Sequence, residues 1–463
     1  MTGAHHATKQ ALQPRWLHIG FGAFARAHTV AALDRSMAKQ RLAGGATPAD
    51  WGVVVSRLRS GVAQLNALVQ TGHQYYVAEI DDSGATLQTV QSIIGTCHPI
   101  RDGIDALHDL IASPALSLIT LTITEKGYRN GPTMGTLCQG LLQRRQAGNG
   151  GLTILSCDNL SENGVLTRQA LLAEAIRLDT ALADWIASEC RFPSSMVDRI
   201  VPEMTEASHT KLEELLGKPD PNGIICEPFF QWVIEDNFLG ERPPLELAGV
   251  QWVDDILPWE SMKLRMLNGS HTFLALLGRI AGHRTIDACM ADAVFHEAVL
   301  HLMLHESAPT LPTLPGANLP GYAQSLIKRF SNSELKHRTE QIAKDTSQKL
   351  PQRLLESIAI NIEAGRPWAM SALAIAAWGI YLVGLDDQQE PLALSDPLAD
   401  ELASLVTNTD KADLMDALLN VKAVFPPALA NNPDFRDAVK ASYTSIRTLG
   451  ARAAIADRLH ASV

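Results

Sequence analysis

No two cysteines in this sequence lie at the two-residue spacing of zinc knuckles or redox dithiols. The six, Cys97, Cys138, Cys157, Cys190, Cys226 and Cys289, are scattered, as expected of reduced thiols in a cytoplasmic protein. The histidines form no zinc motif, so no metal is expected. No tyrosine has a lysine four residues later, which leaves tyrosine-based short-chain dehydrogenase chemistry without a candidate. Positive charge is scarce: 39 Lys and Arg stand against 50 Asp and Glu, and the net charge of -11 repels nucleic acid and acidic membrane surfaces. Neither is an expected partner, although a local cationic pocket for an anionic small molecule remains open. The N-terminal stretch MTGAHHATKQALQPRW has no apolar run of a secretory signal, and residues 1–15 are expected to form a disordered tail. One uncharged run, Pro367 to Leu385, approaches membrane length but is rich in alanine and holds Ser371, Gly379 and Gly384. A buried helix is expected there.

The chain has 463 residues, 46% of them apolar and 19% charged, enough for two or three packed domains. Its first half alternates short apolar runs (RWLHIGF, WGVVVSRL, LSLITLTITE, GLTILSCDN) with helix-length segments. Strands apolar on both faces belong to a parallel sheet covered by helices. An α/β, doubly wound, Rossmann-like domain is therefore expected over residues 16–257. From Pro258 the period becomes helical, as in MKLRMLNGSHTFLALLGRIAG and PQRLLESIAINIEAG, and residues 258–463 are expected to form a mostly α-helical domain. Proline-bearing connectors at HESAPTLPTLPGANLPGY and DDQQEPLALSDP interrupt its helices.

After the first apolar run, Gly20, Gly22 and Ala25 follow in G-x-G-x-x-A spacing. Dinucleotide binding needs small residues there: the first permits the tight turn, the second lets a pyrophosphate approach the backbone, and the third lets helix pack on strand. Arg26 and His28 either flank the phosphates or lie on the helix surface. The second strand should end near Val55, where an NAD enzyme often carries an acid for the ribose hydroxyls. Here the chain reads Ser56, Arg57, Leu58, Arg59. An arginine there accommodates the extra phosphate of NADP, stacks on adenine or stays solvated, so both nicotinamide cofactors stay open.

The sharpest constellation runs from Pro258 to His271. At about 100° per residue, Glu260, Lys263, Asn268 and His271 fall within an arc of about 140°, on a helix whose other residues include the apolar Leu264, Met266, Leu267 and Phe273. A carboxylate, a cation, an amide and an imidazole on one side of an apolar helix form either a reaction site or a solvated stripe.

The K-x-x-x-x-N-x-x-H run at Lys263, Asn268 and His271 resembles the catalytic signature of the polyol-specific long-chain dehydrogenases, the mannitol dehydrogenase family. So do GFGAFARAH from Gly20, TEKGY from Thr124, SCDNLSENG from Ser156, SMVDRIVP from Ser195, EPFFQWVIEDNF from Glu227 and SQKLPQR from Ser347. Together these motifs cover about residues 15 to 455 in order. The resemblance implies a Rossmann-like domain followed by a helical one, NAD as cofactor with NADP left open, and a monomer or weak homo-oligomer. It makes Lys263 the general base in alcohol oxidation and the general acid in ketone reduction, a role suited to a lysine whose pKa is lowered toward neutrality. Asn268 and Asn159 would hydrogen-bond the substrate oxygen as negative charge builds on it. His271 would orient the hydroxyl, and Glu260 would relay the proton to water. Cofactor contacts are implied for Gly20, Phe21, Gly22, Ala23, Phe24, Ala25, Arg57, Glu125 and Asn159, and substrate contacts for Asp198 and Arg199.

The family divides into enzymes of neutral polyols and enzymes of sugar acids. TEKGY and SQKLPQR resemble the sugar-acid branch, which includes fructuronate reductase, and they carry Lys126, Lys349 and Arg353, each able to meet a carboxylate. Arg129 is a further candidate. Two departures bear on substrate choice: Ala25 stands where relatives commonly have histidine, and Thr346 follows Asp345 where glycine is usual. The expected reaction interconverts D-fructuronate and D-mannonate, or a close hexuronate pair. The alternatives are a mannitol or arabinitol type 2-dehydrogenase and a nucleotide-sensing module without turnover.

Overall fold

In a computed structural model of the chain, residues 12–42, 50–129, 132–314 and 317–461 are described. The expected tail lies outside the described residues up to position 11. Its last residues do not: strand β1 (Gln13–Ile19) already includes Arg15, which is held by Asp50 and Glu241 at 2.7 Å each and lies over the Trp51 ring. The chain divides into two compact units, Met1–Leu257 and Pro258–Val463.

The first unit is built on a parallel sheet. Its strands β1, β2 (Trp51–Ser56), β5 (Ile93–Cys97), β6 (Leu118–Leu121) and β7 (Thr153–Ser156) lie in the order β5-β2-β1-β6-β7. Alternation along β1 and β2 explains the cover on both faces. Trp16, Val53 and Val55 enter one core, while Leu17, Ile19 and Val54 enter the other. Helix α1 (Ala23–Ala27) leads into α2 (Thr29–Leu42), whose Val30, Ala31 and Leu33 cover the first face. Two further sheets belong to this unit. Strand β3 (Tyr75–Asp81) lies between antiparallel β4 (Gly84–Val90) and parallel β9 (Ile224–Cys226), and β10 (Gln231–Glu235) lies between antiparallel β8 (Ser195–Asp198) and parallel β11 (Gln251–Val253).

The second unit is helical, and past Val253 the described residues contain only isolated bridges such as Thr285 with Arg338. Helix α4 (Leu257–Met262), a π turn (Lys263–Asn268) and helix α5 (Gly269–Ile280) run on without interruption, and every residue from 262 to 278 is buried. The uncharged run forms α7 (Ala369–Val383), ended by Gly384 in the left-handed conformation (φ 87). No described helix is long and apolar enough to cross a membrane. The start of α7 is capped across the fold. Glu306, fully buried on a second π turn (Leu302–Ser307), accepts from Met370 N at 2.7 Å, Ser371 N at 2.9 Å and Ser371 Oγ at 2.7 Å. A carboxylate at a helix N-terminus meets both the open N–H groups and the positive end of the dipole. His305, Glu306 and Ser307, read as the start of a connector, are thus structural helix.

Candidate active site

In the first unit the chain turns at the carboxyl ends of β1 and β6, where the strand order reverses and such folds form a crevice. Gly20 follows β1 at φ +102, and a Cβ there would stand 2.0 Å from the carbonyl oxygen of Thr122. Thr122 Oγ1 donates to Gly20 O at 2.5 Å, and Gly20 N donates to Ser56 O at 2.9 Å. Gly20 is therefore required by the fold itself. Gly22 is not: at φ -91 a Cβ would meet only Gly20 O, at 3.7 Å. Open space above a turn that needs no glycine fits the approach of a pyrophosphate. Ala25 is fully buried in the core and Phe21 packs its ring edge-on to Tyr75 at 5.9 Å, so Phe21 offers the crevice only its backbone. Ala23 and Phe24 are half-buried. Ser56 Oγ, buried at the end of β2, has no hydrogen-bond partner among the described residues, a position suited to a ribose hydroxyl. These features together fit a dinucleotide.

Arg57 is positioned next to this crevice by Gln64 Oε1 at 2.5 Å and Ser60 Oγ at 3.3 Å, and its side chain fills the space a Cβ on Gly61 would take. Arg26 and His28 are neither surface residues nor free for phosphates. Arg26 Nη1 donates to Asn222 O at 2.6 Å, and buried His28 stacks on Phe24 with its Nε2 3.0 Å from Gln231 O. Beyond β6, helix α3 (Thr124–Arg129) starts from Thr124 at φ 62. Asp158 holds that strained turn: its carboxylate accepts from Ile123 N and Thr124 N at 2.9 Å and from Tyr128 Oη at 2.7 Å. Burial pushes the Asp158 carboxyl up from its usual range, and those bonds oppose the shift. Glu125 pairs with Arg129 at 2.7 Å, Lys126 is exposed, and Asn159 is exposed just past β7.

Asp198 ends β8 opposite Gln231 and is buried. Arg199 corrects the sequence expectation of substrate contact. Its side chain is 0% exposed, with Nε donating to Glu227 O at 3.0 Å, Nη1 to Ala27 O at 2.7 Å and Nη2 paired with Glu79. A guanidinium with all three nitrogens engaged inside the first unit is a structural tie.

In the second unit the helical stripe is buried, so it is not a solvated face: Glu260, Lys263, Asn268 and His271 are 4%, 7%, 5% and 7% exposed. The π turn also alters the sequence geometry. An i→i+5 turn takes in one additional residue, which sets later positions back by about 100° and narrows the four-residue arc from about 140° to about 80°. Neighbouring segments clamp this turn. Ser307 Oγ donates to Arg265 O at 3.3 Å, and Arg353 Nη1, from a third π turn (Pro351–Leu355), reaches Asn268 O at 3.4 Å and Thr272 Oγ1 at 3.1 Å. Arg265, on the same turn, donates to Thr310 O at 2.5 Å and to Glu356 Oε2 at 3.3 Å.

His271 sits against Phe330 at 4.5 Å and perpendicular to His337 at 5.4 Å. Burial, then His337, Arg353, Arg329 and Lys263 in turn, hold its imidazole well below the ordinary histidine range, so the ring is neutral. Asn268 Oδ1, His271 Nε2, His337 Nδ1 and Arg353 Nε are buried with no hydrogen-bond partner among the described residues. Buried polar atoms left open at one place are a mark of a ligand site. Lys349, at the end of α6 (Thr346–Leu350), donates to Ile342 O at 3.0 Å and to Lys344 O. Burial, with Arg353 next, lowers its ammonium to about 8, and burial lowers the Arg353 guanidinium to about 10. Thr346 needs no glycine: it lies within α6, and the left-handed residue is Asp345 (φ 55). Sequence reasoning missed His337, a lone histidine outside every motif. Among the described residues no cluster of three His, Cys, Asp or Glu could hold a metal.

Comparison with known proteins bears on both units. Residues 14–247 match the model of the mannitol dehydrogenase Rossmann domain, and residues 255–447 match that of the mannitol dehydrogenase C-terminal domain. Along 97% of its length the chain is 40% identical to the uncharacterized oxidoreductase YeiQ of Escherichia coli (strain K12), covering 96% of that protein. It is 38% identical to the D-mannonate oxidoreductase of the same organism, over 96% of each chain. A solved Pseudomonas fluorescens mannitol 2-dehydrogenase, in a ternary complex with NAD and D-mannitol, is 34% identical with a TM-score of 0.88, over 98% of this chain and 95% of that one.

Proposed function

The chain belongs to the mannitol dehydrogenase family, and we propose that within it the protein is an NAD-dependent oxidoreductase interconverting a keto sugar acid and its hexonate, of the D-fructuronate and D-mannonate type. The Gly20–Ala25 turn would hold the nicotinamide dinucleotide, which would supply the hydride chemistry. Lys263 takes the proton of the substrate hydroxyl in oxidation and gives it back in reduction. The amide of Asn268 donates to the oxygen as it gains negative charge. His271, neutral, orients that hydroxyl, and buried Glu260, one turn before the lysine, passes the proton on. Asn159, Asp198, Glu125 and Lys126 lie on the first unit, and their roles rest on the family resemblance alone.

The observation that carries the sugar-acid reading is electrostatic. Lys263, Arg329 and Arg353 all bear on the buried His271 ring, and Lys349 bears on His337 beside it. A chain of net charge -11 that gathers cations in a buried place is suited to an anion. The similarity to an enzyme that binds D-mannitol favours the second reading, a 2-dehydrogenase of neutral polyols. Purified protein assayed with NAD on D-mannonate and on D-mannitol, followed by nicotinamide absorbance, separates the two. The proposal expects kcat/KM for D-mannonate to exceed that for D-mannitol by about a hundredfold or more; turnover of neutral polyols alone would reject it. Lys263→Ala should lower kcat by about 10²–10⁴ while NADH affinity stays within twofold, whereas a nucleotide-sensing module would lose nothing.

A further inference from the structure

On the hexonate reading, we propose that His337 is a specificity-determining residue which, with Lys349 and Arg353, forms the corner that receives the substrate's carboxylate. Backbone constraints fix the ring in place. Lys336, just before it, is in the left-handed region (φ 48), Arg338, just after it, bridges Thr285, and Ile286 N donates to His337 O at 3.0 Å. The ring stands perpendicular to His271 with centroids 5.4 Å apart, so it adjoins the reaction stripe without belonging to its helix. Its Nδ1 is buried and has no partner among the described residues, and the same is true of Arg353 Nε.

The three groups are arranged for an anion. Arg353 uses Nη1 on Asn268 O and Thr272 Oγ1, which orients the guanidinium and leaves Nε open. Lys349 gives two N–H groups to Ile342 O and Lys344 O and keeps a third. One tautomer of His337 adds Nδ1–H, and burial with Lys349 nearby holds the ring neutral, its pKa down to about 4. A carboxylate brings two oxygens able to accept from all three groups. A hydroxymethyl group in its place brings one oxygen and no charge, and leaves desolvated donors unsatisfied, which discriminates strongly between the two.

The test compares wild type, His337→Ala and His337→Gln on D-mannonate and D-mannitol, with NADH titration and thermal melting alongside. In His337→Ala, KM for D-mannonate should rise about tenfold or more with kcat within about threefold. NADH affinity should be unchanged, any activity on D-mannitol should fall far less than that on D-mannonate, and His337→Gln, which retains an N–H donor, should recover part of the loss. An equal loss on both substrates, a loss confined to kcat, or an unchanged KM overturns the proposal. If His337→Ala does not fold, His337→Gln decides alone: an unchanged ratio of the two KM values against wild type refutes the role. Wild type that oxidises D-mannitol but no hexonate refutes this proposal together with the hexonate reading. Wild type active on D-mannonate with a silent His337→Ala refutes the histidine's role only.

Discussion

Two glycines two residues apart are required for different reasons, and exchanging each for alanine separates folding from binding. At Gly20 the added methyl would meet Thr122 O at 2.0 Å with φ at +102. The left-handed backbone costs about 1–2 kcal/mol and the displaced loop about 1–3 kcal/mol more. Gly20→Ala should therefore lower the melting midpoint by on the order of 10 °C. At Gly22 the nearest atom to the new methyl is 3.7 Å away and φ is -91. Reduced freedom of the unfolded chain and the poorer cap offset one another, so stability should change by less than about 1 kcal/mol. That methyl, however, would stand where the proposed site receives the pyrophosphate, and the dissociation constant for NADH should rise at least tenfold, about 1.4 kcal/mol. Differential scanning calorimetry and NADH fluorescence titration on the same preparations measure both. The reasoning fails if Gly22→Ala binds NADH as wild type does, or if it melts as early as Gly20→Ala.

Three further outcomes are expected. Glu306→Ala should cost about 1–3 kcal/mol in urea unfolding by uncapping α7, with two N–H groups and a hydroxyl losing their acceptor; an unchanged midpoint would contradict the capping role. Burial drives His18 down to about 3, between Thr120 Oγ1 at 2.7 Å and Thr122 Oγ1 at 3.1 Å. Its ring is neutral in the fold and takes up a proton near pH 6.5 when unfolded, so its stability contribution is complete above about pH 6.5 and falls by about 1.4 kcal/mol per pH unit as the pH drops toward 3. Unfolding free energies at pH 7 and pH 5 should differ less in His18→Gln than in wild type, and equal slopes would show that His18 is not the group responsible. Arg199→Lys should destabilise the protein by about 1–3 kcal/mol, because one ammonium cannot reach all three acceptors the guanidinium holds, Glu227 O, Ala27 O and Glu79, yet leave KM for D-mannonate unchanged in the folded fraction; a selective rise in that KM would restore Arg199 as a substrate ligand.

How much was legible follows from how each feature is encoded. Strands β1, β2, β6 and β7 are apolar on both faces and stand out as continuous runs. Edge strand β5 is interrupted by Gly95, and Ile224–Cys226 has only three residues, too few for a period. Lys263, Asn268 and His271 are readable because their spacing is local. The π turn leaves no compositional trace, since it is a matter of which carbonyl each N–H selects, and uniform helical spacing placed the stripe on too wide an arc. Arg199 misleads for the opposite reason: a guanidinium beside Asp198 looks like a ligand hook until Glu79, 120 residues away, is seen to hold it.

The π turn also separates the integrity of the fold from the aim of its chemistry. Removing one residue between Leu264 and Leu267 would let the stretch relax into ordinary helix. The α5 helix would still form with its circumference kept in register with Lys263, because an ordinary helical stretch of one residue fewer spans the same angle. Relaxation of the full-length stretch without that deletion would instead swing the Asn268 amide and the His271 imidazole by about 100° from the Lys263 amine, in a helix still well formed.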